Sequence, residues 1–127
     1  MATVLIAGRH PATIARIEAA LVREGIDVLT TSTGLGAVRL AALREVRIVL
    51  LDLGLPDVDD TPIFERVLSC GVDLRVVALG ENDDTSAAVS YLNRGAVDYI
   101  SRPVSVTEIA ARIRAQLRCV ALAVEAA

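Results

Sequence analysis

Short apolar runs recur along the chain, and most are followed by a stretch in which apolar residues return every three or four positions. Thr3 to Ala7 is the first run, broken by Gly8-Arg9-His10-Pro11. Ile14, Ile17 and Leu21 then recur at helical spacing, with Arg16, Arg23 and Glu24 off that stripe and Gly25 as the C-terminal cap. Ile26 to Thr31 predicts a second strand, and Leu35, Val38 and Ala42 a weaker second helix. Arg47 to Asp52 is the third strand. Pro62, preceded by Asp60-Thr61, predicts the start of a helix carrying Ile63, Val67 and Leu68 and stopping near Gly71. Leu74 to Leu79 is a fourth strand. Asp83-Asp84 opens a helix through Val89 and Leu92 to Gly95, and Asp98-Tyr99-Ile100 is a brief fifth strand. Ser105-Val106-Thr107-Glu108 reads as a capping box for a last helix on Ile109, Ile113 and Leu117.

Five strands alternating with five helices predict an α/β fold, a three-layer, doubly wound, five-stranded parallel sheet. The stretch Ile48 to Asp57 lies at its centre. Four apolar residues in succession describe a strand buried on both faces, and a carboxylate, Asp52, stands at its carboxyl end before the turn residues Gly54, Pro56 and Asp57. In open parallel sheets that edge is where ligands sit.

Composition narrows the function. A chain of 127 residues suits one domain. Aromatic residues make up 2% and the net charge is −3, so neither base stacking nor a basic footprint points to nucleic acid. No stretch is apolar enough to cross a bilayer and no signal pattern opens the chain, which predicts a cytoplasmic protein. Cys70 and Cys119 sit in helix-like apolar patterns, as buried thiols of a reducing compartment would. All 13 basic residues are Arg, and the absence of Lys bears directly on the chemistry of Asp52.

The stretch "LLDLGLPDVDD" resembles the phosphoacceptor signature of response-regulator receiver domains, and the resemblance covers essentially the whole chain. It implies the flavodoxin-like (βα)5 fold, a role in two-component (phosphorelay) signal transduction, and Asp52 at the phosphorylated position. The family places two acids after the first strand to hold magnesium, a Ser or Thr at the end of the fourth strand, and a Lys-Pro pair after the fifth. These types neutralise the repulsion between a carboxylate and an incoming phosphate.

This chain departs from that pattern at most positions. Gly54 matches the family's backbone metal ligand, but Gly8 and Arg9 replace the acid pair, Gly80 stands at the Ser/Thr position, and Arg102 stands where the Lys belongs. A guanidinium is a poor replacement for a compact ammonium. Magnesium binding is therefore expected to be weak or lost, and no other cofactor is implied. Two placements are open to Arg9. It can reach Asp52, an ion pair of up to about 4 kcal/mol of Coulomb energy before desolvation, or it can point into solvent and leave Arg102 or water to neutralise the aspartate. Glu81, at the rim, either crowds a phosphoryl donor or faces water. His10 reads as a solvated loop residue, and Asp57, Asp59 and Asp60 as turn and cap residues rather than a metal cluster.

The resemblance also implies an output face. Tyr99 has the spacing of the family's aromatic switch residue, and without a hydroxyl at position 80 it is frozen, free to move, or simply packed at a strand edge. The ending "VTEIAARIRAQLR" resembles receivers of OmpR-type winged-helix transcription regulators, whose fourth helix, fifth strand and fifth helix make a two-fold dimer. Asp98, Glu108, Arg112 and Arg118 are compatible with such a face, while Val97 and Ala88 depart from it. The expectation is an atypical receiver over residues 1–127, without its output domain. It would be a protein-interaction module or homodimer that works without phosphorylation, is not an enzyme, and itself touches neither nucleic acid nor membrane. The alternatives are a conventional magnesium-dependent receiver regulating transcription and a small-molecule sensor on the same scaffold. A small enzyme ranks last, since no nucleophile–base pair can be read.

Overall fold

The computed structural model describes residues 2–58, 62–81 and 84–126, with side chains to Ala121. Ten elements alternate: β1 (Thr3–Ala7), α1 (Pro11–Val22), β2 (Asp27–Thr31), α2 (Gly34–Ala41), β3 (Val46–Asp52), α3 (Ile63–Leu68), β4 (Arg75–Glu81), α4 (Thr85–Asn93), β5 (Asp98–Arg102) and α5 (Val106–Ala126). The five strands form one parallel sheet in the order β2-β1-β3-β4-β5. The order explains the sequence pattern. The inner strands β1, β3 and β4 bury nearly every residue, whereas the edge strands β2 and β5 mix classes.

Alternate residues of each strand feed two apolar cores. On one face Leu5, Val49, Leu51, Val76 and Ala78 pack with Ala37, Ile63, Phe64 and Val67 of α2 and α3. On the other, Val4, Ile48, Leu50, Val77 and Ile100 pack with Ile17 and Leu21 of α1 and Ile109 and Ile113 of α5. Gly25 closes α1 at φ 79°, the left-handed conformation that glycine adopts without a Cβ penalty.

Several sequence expectations are corrected. The fully buried residues of α2 are Gly34, Ala37 and Ala41, small residues that let the helix approach the sheet; Val38 packs half-buried against the same core as expected, whereas Ala42 is exposed. Leu35 is exposed. Pro62 is the cap residue of α3, one position before the helix; Asp59, Asp60, Thr61 and Asp83 lie outside the described residues. Only half the capping box forms: Ser105 Oγ accepts from the Glu108 N–H at 3.1 Å, while the Glu108 carboxylate is engaged by Arg112. Val89 and Leu92 face solvent, and no residue of α4 is fully buried. Cys119 is exposed rather than buried, since it precedes Val120 on the outer side of the α5 stripe, and Cys70 is half-buried.

Asp57 does cap a helix, but a distant one. Its carboxylate accepts from the N–H groups of Gly34 (2.7 Å) and Leu35 (2.9 Å), the unsatisfied donors at the start of α2. Burial pushes its carboxyl up, yet these two bonds, with its own backbone N–H, more than offset that and leave the carboxyl below its ordinary value. Asp57→Ala is expected to cost about 1 kcal/mol at neutral pH, by urea denaturation. An unchanged midpoint would show that Thr33, whose Oγ1 accepts from the Gly36 N–H at 2.9 Å, caps α2 unaided.

Candidate functional site

The pleat decides which side chains meet at the carboxyl edge of the sheet. Asp52 pairs in register with Leu79, so it points to the same face as Ile48, Leu50 and Ile100. Two residues further on, Glu81 and Arg102 are register partners across β4 and β5, and they continue that face past the last apolar row. The loop after β1 brings Arg9 over the same edge. β4 and β5 extend beyond the spans the sequence predicts, and that extension brings Gly80, Glu81 and Arg102 into the sheet.

These four charged side chains form one closed network. The Arg102 guanidinium grips both Asp52 oxygens, Nη1 to Oδ1 at 3.2 Å and Nη2 to Oδ2 at 3.1 Å. Arg9 lies on the other side, with its backbone N–H and its Nε each 3.4 Å from Oδ2. Oδ1 also accepts the Gly54 N–H at 2.9 Å. Glu81 closes the ring, pairing with Arg9 Nη2 and, at 3.0 Å, with Arg102 Nη1. Two guanidinium groups thus meet two carboxylates, and the formal charges cancel.

Asp52 is 1% exposed. Burial by itself would push its carboxyl up; the Arg102 hydrogen bonds, the Gly54 N–H, the charge of Arg102 and the Arg9 N–H together outweigh it. The group sits below its ordinary value of 3.8 and is held ionised.

The glycines are part of the geometry. A Cβ on Gly54 would overlap the Arg9 guanidinium and stand 2.8 Å from its Nε, so the bare backbone is what lets Arg9 lie flat against the loop after β3. Gly8 donates its N–H to Thr31 O at 3.1 Å, and its Cα faces Ile14. Gly80 is buried on the opposite face of β4 from Glu81, where the Tyr99 ring covers it. His10 is exposed at the start of α1 and makes no side-chain cap bond. The Arg102–Pro103 peptide is cis.

The residues that the family resemblance assigns to an output face pair mostly among themselves. Arg112 Nη1 bonds both Asp98 oxygens, at 3.3 and 3.1 Å, and its Nε bonds Glu108 at 3.2 Å. Arg118 is exposed on α5. Arg114, one turn from Arg118, ties α5 to Glu24 after α1 at 3.2 Å. Sequence reasoning left the role of Glu81 undetermined and gave Gly54 only as a backbone ligand. The one signal for Glu81 was its register: a strand two residues longer puts its carboxylate on the Asp52 face.

The receiver-domain profile of response regulators matches residues 4–114. The chain is 36% identical over 118 residues to the transcriptional regulatory protein KdpE of Mycobacterium tuberculosis, spanning 93% of this chain and 52% of the relative. It is also 36% identical over 117 residues to the DNA-binding response regulator MtrA of Mycolicibacterium smegmatis, spanning 91% and 50%. Thus the chain spans about half the length of these OmpR-family relatives. A CheY-like receiver domain protein from Methanospirillum hungatei superimposes with a TM-score of 0.82 at 22% identity over 93% of this chain and 94% of that one, a likeness of fold. Among the described residues no helix is long and apolar enough to cross a membrane. With that sheet order, that aspartate and that profile, the chain belongs to the response regulator receiver domain family, the signalling modules of two-component systems.

Proposed function

We propose that this receiver works without phosphorylation of Asp52, as a regulatory and protein-interaction module whose site is neutralised from within. The observation that carries this reading is the closed Arg9–Asp52–Arg102–Glu81 network on a carboxylate that is 1% exposed. Phosphoryl transfer asks a carboxylate oxygen to approach phosphorus while cations spread the charge of the phosphoryl oxygens. Here each Asp52 oxygen is already engaged by two or more donors, and both cations are already bound to carboxylates. Attack would require Arg102 to release a buried anion.

Nor does a divalent cation fit this donor set. Magnesium takes oxygen ligands in a near-octahedral shell. Gly8 offers no side-chain oxygen, and the Arg9 guanidinium lies against Gly54 and Asp52, the two ligand positions that remain. Magnesium would have to displace a cation from its own ligand. Gly80 supplies no hydroxyl for a phosphoryl oxygen, and no Lys exists to supply an ammonium.

Output in this reading passes through α4, β5 and α5, to a protein partner or a second copy. The Asp98–Arg112–Glu108 pairs and exposed Arg118 form the polar part of that face, and Val89 and Leu92 the apolar part. Arg112 is thereby satisfied within one chain, so a dimer would add to these pairs by exchanging them across the two-fold axis.

Incubation with acetyl phosphate and magnesium, followed by intact mass, tests the reading, with Asp52→Asn as control. The expected result is no phosphoryl adduct in either protein. An adduct on the native chain that vanishes in the control overturns it and makes this a conventional phosphoacceptor.

A further inference from the structure

We infer that the amino-end edge of the sheet, opposite Asp52, is a self-complementary interface through which two copies of this chain pair. That edge carries a groove of about 940 Å³ at the starts of β1 and β2. Ala2, Ile26, Leu117 and Val120 give it an apolar lining, and Glu24, Arg44, Glu45 and Arg47 a charged one. Glu24 is neutralised by Arg114, which bonds both its oxygens at 3.2 Å. Among the described residues neither Arg44 nor Glu45 has a side-chain partner, and Arg47 reaches Asp73 only at 3.9 Å. Two guanidinium groups thus stand against one unbound carboxylate, a surplus of one positive charge on the groove.

The complement of that groove lies on the same edge. β3 separates β1 from β4, and beyond it the turn Gly71-Val72-Asp73-Leu74 enters β4, closed by the Leu74 N–H on the Gly71 carbonyl at 3.4 Å. Val72 at the tip of this turn is fully exposed, and exposed Leu43 lines the cavity beside it. Asp73 follows, its carboxylate also in solvent. An apolar knob carrying a carboxylate therefore stands beside an apolar groove carrying a surplus guanidinium, with Arg44 and Arg47 lining the cavities on both sides. A two-fold interface brings a surface patch against itself, so it forms where the patch is its own complement. An axis through the start of β3, in the plane of this edge, carries the Val72 turn of each copy onto the groove of the other. It brings Asp73 to Arg44 of the second copy, and the loose contact with Arg47 yields to that pair. Each dimer gains two such pairs and removes two exposed valines from water. The interface lies across the sheet from the charged network, so it stands whether or not Asp52 is phosphorylated.

Reciprocal charge reversal tests it by sedimentation velocity of the whole chain. The native chain is expected to form a concentration-dependent dimer below about 1 mM. Arg44→Glu and Asp73→Arg, each alone, set like charges together twice and should weaken that dimer at least about tenfold. Mixed in equal amounts, the two variants should pair with each other about as tightly as the native chain pairs with itself. One contact of the mixed dimer is then the native pair, and the other is the same pair with its signs reversed. Val72→Ser should weaken the native dimer at least about tenfold without touching either charge. All three side chains are exposed in turns, so these variants read association rather than folding. A native chain that stays monomeric up to about 1 mM overturns the inference and leaves the groove to a different occupant. So does a dimer that survives Arg44→Glu and Asp73→Arg, which would lie on another face, and so do two variants that fail to associate on mixing.

Discussion

Replacing Arg102 with Met is expected to cost about 3 kcal/mol of folding stability at neutral pH, the scale of breaking one side of a buried ion pair. The penalty arises at the partner left behind. Asp52 is 1% exposed and loses both guanidinium hydrogen bonds at once, keeping the Gly54 N–H at 2.9 Å and the more distant Arg9. Methionine fills the stem's volume but returns no charge.

The same substitution should change how stability responds to pH. In the native chain the Asp52 carboxyl lies below its ordinary 3.8. A depressed folded value contributes stability that is present above the unfolded value and lost as pH falls through the folded one, below about pH 4. Without Arg102, burial dominates and pushes the carboxyl up. A raised folded value contributes stability at acid pH that is lost as pH rises through it. The deficit of the variant should therefore be small near pH 3 and grow towards pH 7, as read by urea denaturation at a series of pH values. A deficit below about 1 kcal/mol at neutral pH, the range of exposed pairs, would mean that Arg9 and the backbone hold Asp52 without help.

The second large effect is a gain. Arg9→Asp removes a cation from the network and adds an anion, so the formal charge of the four side chains passes from 0 to −2. It also clears the guanidinium that lies against Gly54 and 3.4 Å from Asp52 Oδ2. A new carboxylate, Asp52, Glu81 released from Arg9, and the residue-54 carbonyl would then offer the hard oxygen set that magnesium takes. Titration calorimetry should find no magnesium binding to the native chain and measurable, saturable binding to Arg9→Asp, with thermal stability rising as magnesium is added. Binding that stays undetectable would show that the grip of Arg102 on both Asp52 oxygens is a sufficient barrier by itself. Binding to the native chain would contradict the account of a self-neutralised site.

The two substitutions separate what each arginine does. Arg102 holds the buried anion in place; Arg9 fills the space beside it. Their effects are not expected to add, because both share Asp52 and Glu81, and residues in one ion-pair network couple.

Most of the scaffold was legible because its signals are local or periodic. The short unbroken runs Thr3–Ala7 and Ile48–Leu51, bounded by turn residues, read as strands buried on both faces, and the stripe Ile109–Ile113–Leu117 as one side of a helix. Where local signals compete, the reading slipped. Leu35 is larger and more apolar than Ala37, yet Ala37 faces the core because the helix packs closely on the sheet. Ser105 and Glu108 have capping-box spacing, but Arg112 one turn later is the stronger partner for a carboxylate.

The edge was legible in its chemistry and not in its connections. The sequence by itself determined that Asp52 ends a buried strand, that Gly8, Arg9, Gly80 and Arg102 stand around it, and that no lysine exists to join them. Identity and strand position suffice for that, since the parallel sheet brings its carboxyl ends together. Only the tertiary structure decided that Glu81, 72 residues from Arg9, completes a neutral ring, that Gly54 is the seat of a guanidinium, and that Tyr99 occupies the space above Gly80. Those facts depend on rotamers and on the register between distant strands. Both are chosen by the packing and charge of the whole assembled edge, where no single segment carries enough interaction energy to choose for itself.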